Sequence, residues 1–147
     1  MIAMQERNVS STEALMAAIG DADVKTITVI QDLTDVPSLH LAAGQVLRGG
    51  ERHLTIRFRA GEDGVQLLSD NTVCGLRLGC DPTCRVVFND TATAHLGRLD
   101  LRSLVLTGVV QILARDEVRG GHVEAHDIHV EDGDAREFSV REAMALR

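Results

Sequence analysis

The sequence predicts an all-β chain, a short parallel β-solenoid of about five coils, and three observations predict it. An apolar-x-apolar pair recurs as Ile27-x-Val29, Leu54-x-Ile56, Leu76-x-Leu78, Leu104-x-Leu106 and Ile128-x-Val130, at steps of 27, 22, 28 and 24 residues. The last two copies agree in detail. Leu99-x-Leu101-x-x-Leu104-x-Leu106 becomes Val123-x-Ala125-x-x-Ile128-x-Val130 on a shift of 24. Periods of this size mark stacked supersecondary units. Finally, three short strands fit into most periods, the arithmetic of a three-sided coil.

Residues 10–20 read as a helix covering the first coil. Ser10 and Glu13 have capping-box spacing, Leu15, Met16 and Ile19 share one face, and Gly20 supplies a stop. The coils occupy 24–138. A second strand set runs Leu39-x-Leu41, Val65-x-Leu67, Val86-x-Phe88, Val110-x-Ile112 and Phe138-x-Val140. A third set comprises Val46 or Leu47, Val73, Leu99-x-Leu101 and Val123-x-Ala125. Alternation sends one parity inward and the other to solvent, which places Arg57, Arg77 and His129 outside. Turns fall at Gly-, Asp- and Asn-rich stretches, with Gly49-Gly50 and Gly120-Gly121 read as turns that need positive φ. Residues 139–147 turn helical again, with Ser139 and Glu142 at capping-box spacing and Val140, Ala143, Met144 and Leu146 on an apolar side. The chain is thus one domain, 1–147. Five coils at about 4.8 Å make a column near 24 Å long. An antiparallel sandwich or barrel is the competing fold. The 24-residue self-match and the scarcity of Asn-Gly or Asp-Gly hairpin turns count against it.

The stretch Gly64-Val-Gln-Leu-Leu-Ser-Asp-Asn-Thr-Val-Cys-Gly-Leu-Arg-Leu resembles the coil consensus of right-handed parallel β-helix proteins, the pectin-lyase-like superfamily. There a polar turn, often containing Asn, precedes an apolar strand of the kind at Leu76–Leu78. The resemblance spans residues 12 to 138 and implies a right-handed coil with a helix over its first end. It also implies, for the enzymes of the group, polysaccharide chemistry in a groove on one sheet. Outward acidic residues are present at Asp63, Asp70, Asp90, Asp100, Asp116 and Asp127, but none fits a catalytic pattern, so no family site carries over. Fold alone does not give function.

Composition narrows the field. Hydrophobic residues make up 44%, yet there is no Trp, no Tyr and only three Phe, which leaves no aromatic platforms for a sugar cleft. Fourteen of the fifteen basic residues are Arg, and the formal net charge is −7, which argues against nucleic acid or an anionic membrane as partner. No apolar run approaches the ~18 residues of a membrane span. The first residues lack the basic and apolar regions of a secretory signal. Three cysteines do not make a disulfide framework. The expected setting is a reducing cytoplasm.

Two clusters carry candidate chemistry. His122, Glu124 and His126 are spaced to share one side of a strand, a donor set suited to a divalent metal. The repeat puts a turn at His126-Asp127 that would swing His126 away, and the plainer reading is a solvated outer face. Cys80-Asp-Pro-Thr-Cys84, with Cys74 near in sequence, offers a thiolate pair, but without a second Cys pair it reads as a turn flanked by half-buried thiols. No Gly-x-Ser-x-Gly elbow and no phosphate-binding glycine loop occurs. The expected function is therefore a non-catalytic scaffold, binding or assembly module. It would use an open coil end or a flat outer face for self-association or a protein partner, with no cofactor beyond a divalent metal. The alternatives are a polysaccharide-acting enzyme or its remnant, and a metal-dependent activity at the His/Glu cluster.

Overall fold

The computed structural model describes residues 5–50, 53–90, 92, 96–112 and 122–131, with the backbone of 138–140. The chain opens with β1 (Glu6–Val9), α1 (Thr12–Ile19), β2 (Thr26–Val29), β3 (Leu33–Val36) and β4 (Leu39–His40). β5 (Val46–Gly49), β6 (Leu54–Phe58) and β7 (Val65–Leu67) form the next coil, followed by β8 (Thr72–Gly79) and β9 (Arg85–Asn89). β10 (Arg98–Thr107), β11 (Val109–Ile112), β12 (His122–Val130) and β13 (Phe138–Val140) complete the set. Every strand pairing among these is parallel. Parallel neighbours need crossovers rather than hairpins, and the chain winds as a β-solenoid of about five turns, not a barrel.

The column has three faces. The first stacks β1, β2, β5 and the leading halves of β8, β10 and β12. The second stacks β3, β6 and the trailing halves of the same long strands. The third stacks β4, β7, β9, β11 and β13. Between the two halves of β8, β10 and β12 sit Gly75, Ser103 and Asp127, with φ of 68, 53 and 57. One left-handed residue inside each of these three strands, stacked in register, bends it from the first face to the second. Glycine meets that demand without strain, and Ser and Asp meet it at a cost.

The core is a set of in-register aliphatic columns. Leu54, Leu76, Leu104 and Ile128 pair in succession, as do Ile56, Leu78, Leu106 and Val130. On the third face Leu39, Val65, Val87 and Val110 line up, all fully buried. Arg57, Arg77 and His129, between the inward residues, are exposed as alternation requires. Burial of each Leu or Ile contributes about 1.5–3 kcal/mol, and each coil supplies its neighbour's inner surface. One column changes character along its length. Gln45 and Asn71, both almost fully buried, occupy the places that Leu99 and Val123 hold in later coils. Their amides bond the main chain of the corners: Gln45 to Ile19, Val24 and Ala42, and Asn71 to Ala42, Gln45 and Leu68.

α1 lies against β1, β2, β3 and β4, over the first end of the column. Its cap is Ser11, whose hydroxyl accepts from the Ala14 N–H, so the Ser10–Glu13 capping box does not form. Leu15 and Ala18 face the core, whereas Met16 is 38% exposed. The Ser10–Ile19 expectation thus holds for the helix and misplaces its cap and one face residue. β1, ahead of the helix, was not expected.

Four further readings are corrected. Ile27-x-Val29 lies on the first face, pairing with Leu47 and Gly49, and Leu33 takes the expected place beside Ile56. Val87, not Val86, stands in the third-face column, paired with Val65 on one side and Val110 on the other, and the β9–β11 register shifts between Val109 and Val110. Gly49 and Gly50 do not have positive φ. At Gly50 the constraint is space instead: a Cβ would sit 3.2 Å from the Val29 carbonyl oxygen. Ser139 and Val140, expected to begin a helix, belong to β13. Residues 141–147 and Gly120-Gly121 lie outside the described residues.

Candidate functional site

Parallel pairing brings two strands' outward residues together on the first face. In β10 the outward positions are Arg98, Asp100 and Arg102, and in β12 they are His122, Glu124 and His126. Register sets Arg98 beside His122, Asp100 beside Glu124 and Arg102 beside His126, with strands about 4.8 Å apart. Glu124 is the hub. Arg98 Nη2 bonds its Oε1, His122 Nε2 lies 3.7 Å from the same oxygen, and His126 Nε2 lies 3.6 Å from Oε2. Asp100 Oδ2 faces Arg102 Nε at 3.3 Å, while its Oδ1 is buried with no hydrogen-bond partner.

The structure therefore gathers His122, Glu124 and His126 along one strand face. The bend falls at Asp127 alone, one residue later than would swing His126 away. Still, the two imidazoles approach opposite oxygens of one carboxylate. Among the described residues no three His, Cys, Asp or Glu side chains converge as a metal site. Arg98 and Arg102 pair with Glu124 and Asp100 respectively, so each acid of the patch already faces a guanidinium.

The other outward acids serve the backbone. Asp63 accepts from Arg85 N and Arg85 Nη2, both at 2.8 Å. Burial works against its charge, but these bonds prevail and lower its pKa. Asp70 Oδ1 accepts from Arg98 N, and Asp90 Oδ1 from Ala92 N. Asp127 is a bend residue, and Asp116 lies outside the described residues. The cysteines are free. Cys80 is buried at the corner after β8, its Sγ 3.4 Å from the carbonyl oxygens of Asp81 and Cys84. Burial foremost, then the nearby Cys84 and the acids Asp63 and Asp81, push its thiol up to about 12. A thiol held protonated is a poor nucleophile and a poor metal ligand. Cys74 lies elsewhere, on the first face between Arg48 and Arg102.

Sequence reasoning named Asp100 only as one outward acid among six and missed Arg98 and Arg102. The signal was available: the 24-residue shift that aligns the inward residues also aligns Arg98, Asp100 and Arg102 with His122, Glu124 and His126. Among the described residues no helix is long and apolar enough to cross a membrane. No protein-family model, curated protein or solved structure matches the chain.

Proposed function

We propose that this chain is a non-catalytic β-solenoid assembly module that docks a second copy of itself on the β12 end of its column. One observation carries the reading. The inward residues Ala125, Ile128 and Val130 of β12 are only half-buried, whereas Leu101, Leu104 and Leu106, their counterparts in β10, are buried. The opposite end is covered by α1. Among the described residues β12 has a strand partner on one side, and a parallel edge that offers backbone groups and partly bare aliphatic side chains is a template for pairing. Ion pairing of Asp100 and Glu124 with arginines, and the protonated state of Cys80, support a role without catalysis. Kinship with the right-handed, pectin-lyase-like β-helix proteins belongs to this proposal. Its supports are the parallel coils, the helix over one end and Asn71 in the turn before β8. The test is molar mass by light scattering across a dilution series. The expected result is a dimer that dissociates on dilution and is lost in Val130→Asp but kept in Met16→Asp on the helix end. A constant monomer mass, or a dimer untouched by Val130→Asp, overturns the proposal.

A divalent metal at His122, Glu124 and His126 is the second reading, and its support is the placement of all three side chains on one outward strand face. Elemental analysis of tag-free protein equilibrated with zinc and then desalted should find the metal, and His122→Ala should lose it. Metal-free protein after that treatment rejects this reading.

A further inference from the structure

No further inference is drawn: the strongest candidate, the Asp100–Glu124 carboxylate pair between Arg98, Arg102, His122 and His126 on the outer face of β10 and β12, belongs to the site already described, and with both acids bonded to arginines nothing in the structure shows what else it would bind.

Discussion

Replacing Asn71 is expected to cost the fold a measurable share of its stability. Its side chain accepts from the Leu68 N–H at 2.7 Å and donates to the Ala42 carbonyl at 2.9 Å and the Gln45 carbonyl at 3.1 Å. In Asn71→Leu the Gln45 carbonyl still receives the Thr72 N–H, at 3.4 Å. The Ala42 carbonyl likewise keeps the Gln45 N–H, at 3.1 Å, so the Leu68 N–H is the group that loses its partner. One buried donor left unpaired costs about 1–3 kcal/mol, a loss near 2 kcal/mol. That compares with about 5–15 kcal/mol for a whole domain of ordinary stability. Leucine is the informative substitute because Leu99 fills the same column position one coil later, so volume and hydrophobicity suit the site. The assay is urea denaturation followed by far-ultraviolet circular dichroism, since the chain has no Trp or Tyr to report by fluorescence. The midpoint should fall sharply with an unchanged slope. A variant as stable as the parent would refute the claim that the amide holds the corner through hydrogen bonds.

Three more expectations follow from the geometry. Ser103, at φ 53 in the second bend, should tolerate Gly within about 0.5 kcal/mol. Ser103→Val should lose about 2 kcal/mol, because a β-branched residue resists that region; equal midpoints for the two variants would contradict this. Asp63 has a lowered carboxyl pKa, so its pairing with Arg85 stabilises fully above the ordinary carboxylate value of about 3.9 and is lost as pH falls through the folded value. The stability gap between parent and Asp63→Asn should be widest near neutrality and close in acid, and a gap independent of pH would count against the pairing. Thiol labelling of folded protein at mildly alkaline pH should modify half-exposed Cys74 well before buried Cys80, whose reaction should await unfolding. Peptide mapping reads the order, and early labelling of Cys80 contradicts the buried corner.

The parts of the fold that could be read from sequence were those where one residue does one job. Leu54, Leu76, Leu104 and Ile128 each follow a corner and precede an outward residue, so spacing alone put them in one column. The first coil broke this pattern. Three residues, 30–32, separate β2 from β3, whereas a single left-handed residue separates the halves of β8, β10 and β12. That longer corner let Ile27-x-Val29 imitate a second-face pair from its true place on the first. β1 escaped notice because Glu-Arg-Asn-Val has a single apolar residue, Val9, which is the part of it that is buried. Phe88 misled because its neighbour Val87 takes the inward place at a register shift, while the Phe88 ring lies beneath the Arg85 guanidinium, 4.1 Å from its centroid. For the candidate site, His122 and Glu124 followed from alternation within one strand. Their arginine partners come from the preceding coil, and the 24-residue shift that aligns them was read for the inward residues alone.

The most direct test of the parallel column is a set of nuclear Overhauser contacts in isotopically labelled protein. Methyl contacts linking Leu54 to Leu76, Leu76 to Leu104 and Leu104 to Ile128 are expected, with amide contacts between β8 and β10 in the parallel register that pairs Arg77 with Val105. Close Hα–Hα contacts between those strands, the mark of antiparallel pairing, would contradict it, as would the absence of the Leu76–Leu104 methyl contact.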